Sequence, residues 1–527
     1  MSMMMSPGAL HDALLDCEEL ALIDVREQGV YFNGHLFWAV CIPVSRLELM
    51  VLDMVPRRST RIVLCDDGSS SLTATAITLL DALGYSDVSI LEGGTRAWKE
   101  AGYELYSGVN VPSKAFGEFV EHNYGTPHVP AETLNEIIQS GRDMVILDSR
   151  PMDEFSRMNI PGGINMPGAE LVFRVQEMVP NPETLVVVNC AGRTRSIIGS
   201  QSLINAGLPN EVVALKDGTM GWELAGFSCE HGNTEFGPDP SPEAVVVARR
   251  RAASVAERFG VSFAEKATVT RWQAEQDERT LYLLDVRTLE EFEAGHVAGS
   301  RHAPGGQLIQ STDEYVGTRH ARIVLFDDEQ VRAVMTASWL VQLGWTDVHV
   351  YRGRIADWPL ESGPRKSAAP TIVGWATVSP DRVDPDSDFI VDISDSLTYQ
   401  KGHVPGAWWG VRARLGEIAW PDAGRAVLYA NDDRLAHLAA AMAAELHPNL
   451  EIVVMNGGLV GWLDAGRAVE ADNGLMDRAT TEVNDVWYKP YDFKDNIRSK
   501  MEEYLVWEVA LMDQISRDDT VSFRKYD

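Results

Sequence analysis

One pattern recurs four times along this chain, and that recurrence constrains its fold more than any other property. A hydrophobic strand ending in aspartate reads "LALIDVRE", "MVILDSRP", "LYLLDVRT" and "DFIVDISD", placing Asp24, Asp148, Asp285 and Asp392 at equivalent positions. Each unit closes on a turn bearing glycine and tryptophan: "LEGGTRAW", "LKDGTMGW", "YRGRIADW" and "MNGGLVGW". Successive aspartates lie more than a hundred residues apart, far beyond the roughly 20–45 residues of a solenoid repeat, so the units are whole domains in tandem. Inside a unit, short apolar runs alternate with helical patterns, as in "VVVNC", "SIIGSQSLINAG" and "EVVALKDG". Strands separated by single helices call for right-handed crossovers and a parallel sheet covered on both faces.

The pattern places domains at residues 5–108, 128–230, 263–364 and 372–472. Residues 231–262 form a linker and a bridging helix, with Ser241 as N-cap and Pro242 at the first helical position. Residues 473–527 match no repeat, and their aromatics predict a tail packed on the domains. The expected arrangement is two pairs, first with second and third with fourth, joined by the acidic linker near residue 235.

Charge and cysteine usage narrow the function. A net charge of −31 repels phosphates, which argues against nucleic acid or an anionic membrane as partner. The five cysteines are scattered without a CxxC pair, which fits a reducing compartment and neither a disulfide framework nor a zinc site. The first residues lack a basic stretch followed by a clean apolar one, and no uncharged apolar run reaches membrane-spanning length. A cytoplasmic protein is the expectation, and self-association into a homo-oligomer stays open.

Against that acidic background the run "VVVNCAGRTRS" stands out. Cys190 falls at the carboxyl end of a predicted strand and at the start of a predicted helix. In parallel α/β sheets ligands bind at that place, where unpaired N–H groups and the helix dipole favour negative charge. A thiol so placed is favoured as its nucleophilic anion. Gly192 lets the backbone curl so that the N–H groups of Ala191, Gly192, Arg193, Thr194 and Arg195 point inward. Arg193 and Arg195 add two permanent charges. A cation such as Arg195 at a helix N-terminus opposes the dipole, so a bound anion would justify its presence.

The set "LDSRPMDEF", "NIPGGINMPG", "NCAGRTRS" and "LKDGTMGW" resembles the rhodanese-like sulfurtransferases, and the resemblance covers four tandem domains. It implies an α/β fold, each domain a small parallel five-stranded sheet flanked by helices on both faces, and a cysteine that carries sulfane sulfur as a persulfide. It also implies that Arg150, in the "DSR" motif, helps hold the substrate anion beside Arg195 and Arg193. Cysteine phosphatases sharing this fold have five residues between cysteine and arginine, whereas "AGRT" has four, so a phosphatase is disfavoured.

Cys190 is replaced in the other units: by Asp66 or Asp67 in the first, Asp327 in the third, and Ala430 or Asn431 in the fourth. Those three domains are expected to be silent, with packing roles, and the mouth of the third covered by a neighbouring domain or the tail. The resulting expectation is transfer of sulfur from a small sulfur-containing anion such as thiosulfate to a soft nucleophile, cyanide or a thiol, with no metal or organic cofactor. The alternative is a rhodanese-like scaffold with little catalysis.

Overall fold

The computed structural model describes residues 3–471 and 476–527. They contain four five-stranded sheets, each all-parallel, in which the strands of a domain lie in the order first, fifth, fourth, second, third. In the second domain these strands are His128–Val129, Met144–Asp148, Gly163–Asn165, Leu185–Asn189 and Val212–Leu215. Val186, Val187 and Val188 are fully buried, because helices cover both faces of the sheet and leave no side for water. The third domain adds a short antiparallel pair, His296–Val297 with Leu360–Glu361.

Strand register settles which residues replace Cys190. Asp148 pairs with Asn189, Asp24 with Cys65, Asp285 with Phe326 and Asp392 with Tyr429. The next residue is Cys190 in the second domain, and Asp66, Asp327 and Ala430 in the others. Cys65 therefore lies one position too early, fully buried inside its strand.

The domains do not pair as halves. The bridging helix, Pro242–Phe259, starts where the Ser241 hydroxyl accepts the Ala244 N–H at 3.3 Å and ends at Gly260. Its small-residue face (Ala244, Ala248, Ala252) packs against helix Glu170–Met178 of the second domain and helix Val331–Gln342 of the third. The second and third domains thus form one pair, related by an approximate two-fold. Arg195 reaches Gln307 of the third domain at 3.4 Å, and its counterpart Arg332 reaches Glu170 of the second at 3.1 Å. The first domain meets the fourth, through Arg412, which holds Glu48 with two bonds of 2.8 Å, and also the third, where the Tyr282 hydroxyl donates to the Met54 carbonyl at 2.5 Å. The expected pairing fails because the bridging helix is itself the core between domains two and three, rather than a spacer.

The two-fold seam is tight. A β-carbon on Gly306 would lie 2.8 Å from the backbone nitrogen of Gly168, a contact that backbone cannot yield to cheaply. Gly306→Ala is expected to destabilise this seam by about 1–3 kcal/mol, the usual cost of overpacking, and differential scanning calorimetry would register the shift. An unchanged melting profile would show that the seam contributes little to stability.

No helix among the described residues is long and apolar enough to cross a membrane. All five cysteines are free.

Candidate active site

The cysteine loop is held from behind by the Trp turn. Thr219 N–H donates to the Cys190 carbonyl at 2.9 Å and Met220 N–H to the Ala191 carbonyl at 3.0 Å. Gly218 permits this approach: its φ is +58°, and a β-carbon there would sit 2.4 Å from the Cys190 oxygen. The turn is in turn anchored by Trp222, whose Nε1 donates to the Ser228 carbonyl at 3.0 Å. Trp98 and Trp462 make the same bond six residues on, to Glu104 and Ala468. Trp358 does not, because the third domain closes on a single 3-10 turn at Ile355–Asp357.

Cys190 follows the strand Leu185–Asn189 and is 2% exposed. Its thiol donates to Ser196 Oγ at 3.5 Å, and that hydroxyl donates to the Arg193 carbonyl at 2.8 Å. Helix Thr194–Asn205 begins just beyond. None of the backbone N–H groups from Ala191 to Ser196 has a hydrogen-bond acceptor among the described residues. The loop is thus a cradle of free donors with the cysteine inside.

The third domain shows what fills such a cradle when the cysteine is gone. Asp327 turns its carboxylate onto its own loop, accepting Arg332 N–H at 2.8 Å and Ala333 N–H at 3.4 Å. Its other oxygen holds the Arg332 guanidinium at 2.9 and 3.1 Å. In the first domain Asp66 accepts Gly68 N–H at 2.7 Å and the Ser70 hydroxyl at 2.6 Å. Each carboxylate occupies the anion position of its own domain.

Above Cys190 lies a cavity of about 230 Å³, and its walls come from well beyond the second domain. Lys114 enters from the helix Val111–Tyr124 linking the first two domains, and Gln307 and Gln310 from the third domain. Lys489, Tyr491 and Tyr504 belong to the C-terminal tail, whose helix Ile497–Ile515 packs on that linking helix. The tail covers the mouth of the second domain. The tail residue Glu508, fully buried, also accepts the Thr194 hydroxyl at 2.5 Å and so clips the cysteine loop in place.

Arg195 lines this cavity and pairs with Glu154 at 2.7 Å. Burial works against its charge, but Glu154 holds its pKa above the ordinary arginine value. Burial likewise opposes the Glu154 charge, yet Arg195 and Lys489, the latter at 3.4 Å, keep its carboxyl well below the usual range. Arg195 and Lys489 thus share one carboxylate, and Glu314 also lines the cavity. Burial pushes the Lys114 ammonium down, partly offset by Glu508 at 3.9 Å.

Two expected anion ligands are turned away. The Arg150 side chain folds back onto Asp148, with Nε and Nη2 at 2.9 and 2.7 Å, and Nη2 also donates to the Met158 carbonyl at 2.7 Å. Arg26 and Arg287 repeat this clamp on Asp24 and Asp285, so it is a brace of the fold. An aspartate two residues back captures the arginine before any ligand can. The Arg193 guanidinium is directed to Glu118 at 2.7 and 2.8 Å, to Asp217 at 3.1 Å and to Glu121. Only the backbone of Arg193 serves the cradle.

The remaining cysteines are elsewhere. Burial and the neighbouring Asp24 push the Cys65 thiol well above its ordinary value. Cys229 packs beside Trp222, its thiol pushed up to about 12 by burial and Glu223. Neither lines the cavity.

Sequence reasoning missed Lys114, Lys489, Tyr491, Tyr504 and Glu508. Lys114 carried one faint signal: its helix has no purely polar face, since Val111 to Glu118 are all buried, as befits a helix enclosed on all sides.

Comparison with known proteins agrees with this geometry. A crystal structure of a thiosulfate sulfurtransferase from Pseudomonas aeruginosa is 44% identical, covers 100% of both chains and superposes with a TM-score of 0.94. Among curated proteins, the HTH-type transcriptional regulator Rv0324 of Mycobacterium tuberculosis is 32% identical over 90 residues, 17% of this chain and 39% of that protein. The uncharacterized protein YqhL of Bacillus subtilis is 31% identical over 91 residues, 17% of this chain and 71% of that protein. The chain thus spans only about two fifths of the length of the regulator it matches. The family model for the rhodanese-like domain matches residues 6–101, 130–225 and 268–361, more than half of the chain, and the fourth sheet repeats the same strand order outside those matches. The chain belongs to the rhodanese-like domain family.

Proposed function

We propose that this chain is a sulfurtransferase that carries sulfane sulfur on Cys190, taking it from a donor such as thiosulfate and passing it to cyanide or a thiol. The observation that carries this reading is the cradle of unpartnered N–H groups around Cys190, two of whose equivalents in the third domain, the N–H groups of Arg332 and Ala333, bind the Asp327 carboxylate. The full-length likeness to a thiosulfate sulfurtransferase supports it.

The Cys190 thiolate attacks the outer sulfur of thiosulfate. A new S–S bond forms, the old one breaks, and sulfite leaves with the electron pair. Arg195, Lys114 and Lys489 meet the donor's sulfonate and the departing sulfite, while the loop amides hold the anionic persulfide. An acceptor nucleophile then takes the outer sulfur and returns Cys190 to thiolate. With cyanide the product is thiocyanate. Asp66, Asp327 and Ala430 have no sulfur nucleophile to offer, so the other three domains serve as scaffold and cavity wall.

Purified protein given thiosulfate alone is expected to gain one sulfur on the peptide containing Cys190, by mass spectrometry, and to release thiocyanate on addition of cyanide. An unmodified Cys190 peptide under those conditions, with no thiocyanate formed, would leave the scaffold reading in its place.

A further inference from the structure

The seam between the first and third domains encloses a second, much smaller cavity, lined by other residues than the one above Cys190. Its volume of about 20 Å³ admits one water-sized occupant. Trp38 of the first domain, and Asp313, Arg319 and Trp345 of the third, are among its walls.

Arg319 is 8% exposed, with its guanidinium carbon 3.6 Å from the Trp38 ring centroid and 5.1 Å from that of Trp345. Its Nη1 is buried without an acceptor, and so is Nε1 of Trp345. No carboxylate among the described residues pairs with it: burial alone acts on the guanidinium, pushing it down to about 9, still cationic at neutral pH. Asp313 shares the cavity, but its carboxylate accepts Asn110 Nδ2 at 3.2 Å and looks toward Glu314 and Lys114.

A buried cation without a counter-charge is strongly unfavourable, and the two indole faces compensate it only in part. Two orphaned donors and one unbalanced positive charge around a single small hole specify one compact, monatomic anion. Thiosulfate, sulfite and sulfate are too large. We propose that this cavity binds a monatomic halide, chloride in ordinary buffers, held between Arg319 Nη1 and Trp345 Nε1 and joining the first domain to the third.

Two measurements on the full chain test this. Crystals soaked in sodium bromide should show an anomalous bromine peak between those two nitrogens. In solution, the melting temperature should climb with chloride relative to gluconate at matched ionic strength, because a ligand of the folded state raises stability with its concentration. Arg319→Met, which removes the charge, and Trp345→Phe, which keeps the ring but removes the donor, should each lose that chloride-specific rise. If Arg319→Met fails to fold, Trp345→Phe carries the comparison. An ordered water without anomalous signal in bromide-soaked crystals, or a chloride increment equal in variant and parent, would overturn the halide site.

Discussion

Cys190→Ser protein is expected to melt with the parent yet lose at least about a thousandfold in thiosulfate-to-cyanide turnover, as enzymes do when their nucleophile is removed. The substitution is nearly isosteric. The loop is fixed by backbone contacts to Thr219 and Met220 that the side chain does not make. A serine hydroxyl in the same cradle cannot hold sulfane sulfur. Cys65→Ser is the control: that thiol is enclosed in its strand, and turnover should stay near the parent's. Robust turnover by Cys190→Ser would refute the assignment, as would collapse of activity in a folded Cys65→Ser protein.

Arg195→Ala should lower kcat/KM for thiosulfate by roughly 10²–10³, the usual effect of deleting one oxyanion-stabilising donor. Two effects act in the same direction. The donor anion loses its guanidinium, and Glu154, in the same cavity as Cys190, keeps Lys489 and the weaker influence of Arg150 to balance it. Adding Glu154→Gln to Arg195→Ala should therefore recover part of the loss. No recovery would mean that Glu154 does not face the reacting sulfur. Arg150→Lys should instead lower the melting temperature while leaving KM close to the parent's, because that side chain braces Asp148. The Glu154–Arg195 pair also carries a pH signature. A carboxyl held below its ordinary pKa by folding contributes stability that is present above that ordinary value and lost as the pH falls through the lowered one. The contribution is therefore complete at neutral pH and fails only in acid.

The sheet was legible in the sequence, and so was the place of Cys190 at its strand end, because both are local. Val186 to Val188 form an apolar run that only a strand covered on two faces can use, and Cys190 follows it directly. The glycine of "LKDGTMGW" was readable as part of a repeat, but its purpose, clearing the Cys190 carbonyl, needs the fold. The Arg150 and Arg193 guanidiniums are bonded away from Cys190 for an instructive reason. A cation near an anion site binds the nearest fixed carboxylate first, and those carboxylates are Asp148, two residues back, and Glu118, on a different helix. Lys114, Lys489 and Glu508 reach the site only through contacts across dozens to hundreds of residues, which no local pattern encodes. The choice between Asp66 and Asp67 was likewise a matter of register, and the pairing of Asp24 with Cys65 decides it.

The tail over Cys190 has a consequence for how this protein comes into being. Protein synthesis delivers the second domain first and Lys489, Tyr491 and Glu508 last. At about 5–20 residues per second, a ribosome needs some tens of seconds to travel from one to the other. Throughout that interval the nascent chain presents the cysteine loop without its roof. A polypeptide released early, at the end of the third or fourth domain, would therefore hold every residue of the "CAGRTR" loop and still lack a finished reaction chamber. The walls around Cys190 are therefore complete only once the helix Ile497–Ile515 has been made and has packed on the helix Val111–Tyr124.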